Sequence, residues 1–307
     1  MSTRTAPTGI DRVYAAIEEA ARLAGVACAP DKVRPILAAY GQGLEQAGVV
    51  YSVSSTEHAP ADLDYTVTVP PDSGDPYATA LAHGFLQATD HPVGGLLAAL
   101  QERCAIAEYL IDGGVLGGFS KIYAHFPQDV QPVAGLAELP GMPPALAGHA
   151  ALFERHGLSH VAMTGIDYRR RTVNLYFTQL SAACLAPHNI RALHRALALP
   201  EPDEQMLAFA GRSFRIYTTL SWDSPGVGRI CYAPPPARGF DPAALPVAIT
   251  GQVERFVREA PRAYEGDPIV IAAVKWESGG RYLNLGPYHQ LSPLMRKVIS
   301  AVHNGRI

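Results

Sequence analysis

Three tripeptides of the chain, Lys121-Ile122-Tyr123, Asn174-Leu175-Tyr176 and Arg215-Ile216-Tyr217, repeat one pattern: a cationic or amide side chain, an aliphatic residue, then a tyrosine. In an extended strand, residues two apart share a face. Each triplet therefore puts a polar head and a phenol on one side and an aliphatic side chain on the other. Several such strands facing inward would enclose a wet, cationic, tyrosine-lined space. That space suits an anionic ligand with an apolar part, because fixed positive charge holds the anion and the tyrosine rings receive the apolar part.

The elements that must carry these triplets follow from periodicity. Residues 11–24 and 31–47 have apolar side chains at three-to-four spacing and predict helices, whereas 49–55 and 63–69 alternate and predict strands joined through the polar segment 56–61. Helical stretches at 77–86 and 93–103 lead to strands at 106–111 and 119–126. A helix at 144–156 leads to strands at 160–168 and 173–179, and helices at 190–199 and 203–209 lead to strands at 212–222 and 229–233. A helix at 247–259, strands at 269–276 and 282–289, and a terminal helix from Pro293 complete the series.

Helices followed by a hairpin, about five times over, is a structural repeat without a visible sequence repeat. Short connections force antiparallel neighbours, and a parallel α/β barrel needs a crossover helix after every strand. The expected fold is α+β: repeated ααββ units forming a closed barrel of about ten antiparallel strands with helices outside, since closure removes both sheet edges. Alternation points Arg215, Tyr217, Asn174 and Tyr176 into the lumen and Phe214, Ile216 and Leu175 out to the helices. The Pro234-Pro235-Pro236 run reads as a surface loop because another helix-hairpin unit follows it, so residues 1–307 are read as one domain.

Composition narrows the function. With 48% hydrophobic and 17% charged residues and a formal net charge of −3, the chain can bury a large core but lacks the basic surface of a nucleic-acid binder. Arg169-Arg170-Arg171 is the one basic run. The N-terminal residues lack a signal-peptide h-region and no stretch has the apolar length of a membrane span, which predicts a cytoplasmic protein without a membrane partner. Cys28, Cys104, Cys184 and Cys231 are far apart and read as free thiols. His156 and His160 have zinc-helix spacing but no adjacent glutamate and a glycine between them, so no zinc site is expected.

Across nearly its whole length the chain resembles the soluble aromatic prenyltransferases of the ABBA family, in particular the NphB type acting on hydroxynaphthalenes. The resemblance rests on Val13-Tyr14-Ala15-Ala16, Gly74-Asp75-Pro76-Tyr77-Ala78-Thr79, Gly117-Gly118-Phe119-Ser120-Lys121, Met163-Thr164 with Asp167-Tyr168, and Val173-Asn174-Leu175-Tyr176-Phe177. It implies the antiparallel barrel already expected. It also implies transfer of a dimethylallyl or geranyl group from its diphosphate to an aromatic carbon of a phenolic or hydroxynaphthalene-type acceptor. Ionising the allylic C–O bond leaves diphosphate and an allylic cation, so such a site needs cations at the leaving group, π-faces around the cation and exclusion of water.

By the same resemblance, Lys121, Arg170 and Arg229 are expected at the diphosphate with Asn174 and Tyr217 as donors, and Asp64 is expected to link Mg²⁺ to it. No DDxxD-type motif is present, unlike in chain-elongating synthases. Asp62 and Asp64 would share a strand face, but a glycosidase pair needs carboxylates opposed across a sugar. Tyr123, Tyr176, Tyr217 and Tyr288 are expected to line the prenyl tunnel, and Ser52, Met163, Arg215 and Tyr288 the acceptor pocket.

Four positions depart from close relatives. Arg170 replaces a lysine, Arg215 a serine, Ala162 a glutamine in the acceptor pocket, and Asn284 a lysine near the diphosphate. Arg215 would either bind a carboxylate or phenolate of the acceptor or swing to the diphosphate and make Mg²⁺ dispensable. The partners expected are a prenyl diphosphate and an aromatic small molecule, on a monomer. The residues alone also allow a non-catalytic carrier of an apolar molecule, or a prenyl diphosphate hydrolase or cyclase.

Overall fold

The computed structural model describes residues 9–55 and 62–303; the predicted connection 56–61 and the chain's first eight residues lie outside them. The first repeat comprises α1 (Gly9–Ala24), α2 (Pro30–Ala39), β1 (Val49–Ser55) and β2 (Asp64–Val69). The second comprises α3 (Pro76–Ala82), α4 (Leu96–Arg103), β3 (Glu108–Gly114) and β4 (Gly118–His125). A two-residue strand β5 (Gln131–Pro132), α5 (Val133–Ala137) and α6 (Pro144–Arg155) lead to β6 (His160–Asp167) and β7 (Thr172–Thr178). Next are α7 (Pro187–Ala196), α8 (Glu204–Ala210), β8 (Arg215–Ser221), β9 (Arg229–Ala233) and the two-residue β10 (Ala237–Arg238). The chain ends with α9 (Gly251–Glu259), β11 (Ile269–Glu277), β12 (Gly280–Gln290) and α10 (Pro293–His303).

Consecutive long strands pair antiparallel, β12 pairs β1 and β9 pairs β11, so the sheet closes on itself. Two separate apolar clusters follow from closure. The outer one holds the helix faces together with Tyr51, Tyr65, Ile122, Leu175, Phe177, Ile216 and Trp276, all with essentially no exposure. The inner one consists of Met163, Tyr176, Tyr217, Cys231, Ala233 and Ala273, with Leu110, Tyr123, Phe214 and Ile271 packed on it. Each large side chain fully buried in the outer cluster contributes about 1.5–3 kcal/mol.

Local chemistry sets the helix ends. Pro76 opens α3 while Asp75 caps it, accepting hydrogen bonds from Tyr77 N at 2.7 Å and Ala78 N at 3.2 Å. The second helix stops at Ala39, eight residues short of the predicted 31–47; the chain leaves it through Gly41, where a Cβ would stand 2.4 Å from Leu37 O, and Gly43, whose positive φ of 74° is not helical. His156 closes α6 and His160 opens β6, with Gly157 at φ 81° between them, so the two histidines do not share a helix. Cys104, Cys184 and Cys231 are buried and Cys28 half-buried, all as free thiols.

Two sequence readings change. Phe214 was expected to point outward, but it lies just ahead of β8 and packs on the inner cluster, where strand alternation no longer governs it. Asp62 lies ahead of β2 and not on its face; its carboxylate accepts hydrogen bonds from Leu116 N at 3.1 Å and Gly117 N at 3.0 Å, pinning the β3–β4 turn.

Candidate active site

The strand register sorts the inward side chains into two chambers. The β3–β4, β6–β7, β8–β9 and β11–β12 turns lie at one end of the barrel, as the pairs Gly114↔Gly118, Asp167↔Thr172, Thr219↔Arg229 and Glu277↔Gly280 require. The pairs Glu108↔His125 and Arg215↔Ala233 mark the other end.

Toward the hairpin end is a polar chamber of about 150 Å³ lined by Ser52, Asp64, Thr66, Asp112, Lys121, Tyr123, Asn174, Tyr176, Tyr217, Arg229, Lys275 and Asn284. Lys121 Nζ is 3.1 Å from Asp112 Oδ2 and 3.9 Å from Asp167 Oδ2. Burial works against the ammonium, yet Asp112, Asp167 and Asp64 outweigh it and hold the lysine above its ordinary value. Asp112 also accepts hydrogen bonds from Thr66 Oγ1 and, at 3.2 Å, from Tyr123 OH. Arg229 donates to Tyr282 OH at 2.9 Å and to Thr219 Oγ1 at 3.1 Å, and Thr219 donates on to Asn174 Oδ1 at 2.7 Å. Its Nε is buried with no acceptor among the described residues.

Lys275 reaches the same chamber from β11. It donates to Asn284 Oδ1 at 3.1 Å, and Asn284 Nδ2 donates to Ser52 Oγ at 2.8 Å. A lysine therefore stands on the strand beside Asn284. Burial and the neighbouring Arg229 push Lys275 down to about 7. The Asp64 carboxyl is pushed up to about 6 by burial and by Asp112, against the pull of Lys121. A buried Arg229 N–H without an acceptor, beside three basic side chains of which only Lys121 is ion-paired among the described residues, suits an anion.

The second chamber, of about 170 Å³, shares Val50, Thr66, Tyr123 and Ile271 with the first. Its walls add Leu110, Met163, Phe214, Tyr288 and, from α10, Leu294, Met295, Val298 and Ile299. Polar groups are sparse: Glu108, His125 and Arg215. The Arg215 guanidinium lies 5.0 Å from the Phe214 ring centroid and 5.8 Å from that of Tyr176. Burial lowers its pKa. Among the described residues it has no ion pair; Glu108, the one carboxylate of the chamber, instead meets His125 Nδ1 at 3.0 Å.

Tyr123, which lines both chambers, continues into a contiguous wall with Tyr176 and Tyr217 on the polar side, Tyr123 and Tyr176 edge-on at 6.0 Å and Tyr176 and Tyr217 stacked at 4.6 Å. Gly165 makes room for it, since a Cβ there would stand 2.7 Å from the Tyr123 ring. Burial holds all three phenols protonated, raising each above its ordinary value. Neutral phenols present π-faces to a cation without trapping it as an anion would.

The placement of the anticipated residues is uneven. Asp64, Lys121, Asn174, Tyr217, Arg229 and Asn284 meet in the polar chamber; Met163, Arg215 and Tyr288 meet in the apolar one. Ser52, anticipated for the acceptor, lines the polar chamber as the partner of Asn284. Ala162 lies at the irregularity of β6 where the pairing slips between Val161 and Met163, and it lines neither chamber. Arg170 is exposed on the β6–β7 turn, its backbone N–H bonded to Asp167 at 2.8 Å, and it too lines neither. Thr66, Glu108, Asp112, His125 and Lys275 were missed, although the period-two rule that selects Lys121 and Tyr123 continues to His125.

The profile of the aromatic prenyltransferase Orf2 family matches residues 8–292. The chain belongs to that family. It is 38% identical to a 5,10-dihydrophenazine-1-carboxylate 9-dimethylallyltransferase of Streptomyces anulatus, over 95% of this chain and 97% of that one. It is 41% identical to a flaviolin linalyltransferase of Streptomyces virginiae, over 91% of each. It is 38% identical to a furaquinocin biosynthesis prenyltransferase of Streptomyces sp. (strain KO-3988), over 92% and 91%. Among solved structures, a 6-dimethylallyl tryptophan synthase superposes with a TM-score of 0.52 at 14% identity, covering 92% of this chain and 97% of that one, a likeness of fold. The chain is thus a transferase of prenyl groups to aromatic acceptors, built on a closed antiparallel barrel with surrounding helices. No described helix is long and apolar enough to cross a membrane.

Proposed function

We propose that the polar chamber holds the diphosphate of a dimethylallyl or geranyl donor, that the tyrosine wall shields the allylic cation, and that the apolar chamber holds a phenolic or hydroxynaphthalene-type acceptor carrying an anionic group on Arg215. The observation that carries this reading is the split lumen, with anion-binding donors on one side of the tyrosine wall and an apolar slot on the other. Lys121, Lys275 and Arg229 face the leaving group, and Tyr217 and Asn174 add hydrogen-bonding groups. The bond from the allylic carbon to the diphosphate oxygen breaks, and the aromatic π-pair then forms the new C–C bond.

Asp64 fits a metal-assisted version of this step. Of the two carboxylates that line the chamber, Asp112 is ion-paired to Lys121, which leaves Asp64 for Mg²⁺, a cation that takes one or two carboxylates and completes its shell with phosphate oxygens and water. Mg²⁺ held there would neutralise charge on the departing diphosphate. No cluster of three or more His, Cys, Asp or Glu groups is present among the described residues, so the site depends on the donor's own oxygens.

Arg215 is assigned to the acceptor and not to the diphosphate, because it lines the apolar chamber against Phe214 and has no place in the lining of the polar one. A carboxylated acceptor, such as one relative's name describes, would relieve a buried guanidinium that lacks an ion pair. The reading also takes the chain as a monomer, since one chain supplies both chambers, working in the cytoplasm, where free cysteines persist.

The test offers dimethylallyl or geranyl diphosphate with a dihydroxynaphthalene or its carboxylated analogue, with and without EDTA, and follows product mass. The carboxylated acceptor should be preferred by about tenfold or more, the worth of a charge-assisted bond, and Arg215→Ser should erase that preference while leaving the EDTA response unchanged. Prenyl alcohol or a cyclised product regardless of acceptor would instead identify a hydrolase or cyclase.

A further inference from the structure

The Glu108–His125 pair has no part in the scheme above, yet it lies in the wall of the acceptor chamber. The two residues face each other across β3 and β4, and Nδ1 of His125 is 3.0 Å from Oε1 of Glu108. A carboxylate only accepts hydrogen bonds, so the shared proton belongs to Nδ1 and the lone pair of the ring belongs to Nε2. Among the described residues Nε2 makes no hydrogen bond. His125 continues the inward series Lys121, Tyr123, His125 along β4, which turns its ring toward the lumen.

Electrophilic prenylation leaves a proton to be removed. Once the aromatic carbon has bonded to the allylic carbon, the ring is an arenium cation, and aromaticity returns when that carbon's C–H bond breaks and its electron pair re-enters the ring. Leu110, Met163, Phe214 and Ile271 offer no base for that proton. We propose that His125, oriented by Glu108, accepts this proton at Nε2 as the product ring regains aromaticity, resting on the reading that aromatic prenyl transfer occurs in this chamber. The proton passes from the imidazolium to solvent after product release.

The electrostatics agree with the task. Burial lowers the pKa of His125, Glu108 raises it and Arg215 on β8 lowers it, so the ring is neutral and able to accept a proton near neutral pH. Tyr123 on the same strand and Tyr288 on β12 are protonated phenols there, and Met163, paired with His125 on β6, carries no charge. Glu108 stabilises the imidazolium once formed. An acceptor anion on Arg215 would remove the main charge opposing it.

The experiment compares wild type, His125→Phe, His125→Gln and Glu108→Gln, using geranyl diphosphate with an ordinary or ring-deuterated dihydroxynaphthalene. Both His125 variants should lower kcat by about 10²-fold, the lower range for general base catalysis, with the donor KM unchanged and a primary isotope effect larger than that of wild type. Wild-type kcat should fall at acid pH as His125 protonates; His125→Phe should lose that limb, and Glu108→Gln should move it to lower pH. His125→Gln can still donate to Glu108, so if it retains wild-type turnover while His125→Phe does not, the residue only positions and the proposal fails. The proposal also fails if both variants keep the acid limb and show no added isotope effect. Absence of any prenylated product from wild type would overturn the transferase reading of this chamber itself, a result distinct from product that forms independently of His125.

Discussion

The hairpin end and the helix end of the lumen draw inward-facing residues from one closed sheet, but they solve opposite problems. At the hairpin end, charge is crowded: Lys121, Arg229 and Lys275 stand with Asp64 and Asp112, cross-linked by Thr66, Asn174, Thr219 and Tyr282. At the helix end, Arg215 and the Glu108–His125 pair are set in an apolar wall that α10 completes. The difference mirrors the two halves of the reaction. A leaving diphosphate needs charges that are already fixed in place, because reorienting them during ionisation would forfeit most of their effect. An aromatic acceptor needs shape and one or two anchors.

The largest effect should come from removing the cation that the polar end is built around. Lys121→Ala should lower kcat/KM by about 10²–10³-fold, the range for loss of one preorganised electrostatic contact. It should also destabilise the fold by about 3–5 kcal/mol, because the Lys121 and Asp112 side chains are only 17% and 6% exposed and Asp112 would be left charged without its partner. Adding Asp112→Asn should return much of the melting temperature and none of the activity. If the double variant recovers both, Lys121 serves the fold and not the leaving group, and the contrast between the two ends collapses.

That contrast was only partly legible in the sequence. Period-two alternation is a local property, so β1, β4 and β7 were readable to within a residue or so, and the same rule placed Asn174, Tyr176 and Tyr217 in the lumen. Position along the barrel axis is not local. It depends on the stagger between strands, so alternation alone does not show that Ser52, which the resemblance puts at the acceptor, meets Asn284 in the polar chamber. Arg170 is not placed by alternation at all: a turn residue has no face, and this one is exposed and lines neither chamber. Lys275 is not legible by position either, because it lies on the strand adjacent to Asn284 and is brought to it only by strand pairing. The helix end was hardest to read, since α10 contributes its wall from the far end of the chain.

Lys275 gives an intermediate effect with a definite pH signature. Its pKa falls from an ordinary 10.5 to about 7, mainly through burial and then through Arg229. The native state thus disfavours the ammonium, while the unfolded chain is protonated below 10.5. The resulting penalty on folding is absent above the unfolded value, grows as pH falls toward 7, and is constant below that. Lys275→Met should therefore be more stable than wild type at neutral pH, and the advantage should vanish at strongly alkaline pH in thermal melts. Donor binding should suffer in return, by about tenfold for one charge-assisted contact. Calorimetry in buffers of different ionisation enthalpy should detect proton uptake when wild type binds geranyl diphosphate above pH 7, and none at this site in Lys275→Met. Equal proton uptake in both proteins would remove Lys275 from the leaving-group end.

The smallest effect should appear where the helix end is closed by α10. Val298 lines the apolar chamber and not the polar one proposed to hold the diphosphate. Enlarging it to phenylalanine fills space without adding charge, so the donor's diphosphate contacts are preserved while room for the acceptor and the tail of the prenyl chain shrinks. A hydrophobic pocket discriminates only about 1–3 kcal/mol per methylene-sized change, so the expected result is a shift in preference and not a loss of activity. Val298→Phe should favour dimethylallyl over geranyl diphosphate, measured as the ratio of kcat/KM values, with dimethylallyl turnover close to wild type. A uniform drop for both donors would mean that α10 helps assemble the diphosphate site as well. The barrel would then act as one continuous cavity, and the division at the tyrosine wall would be a feature of its shape without being a division of labour.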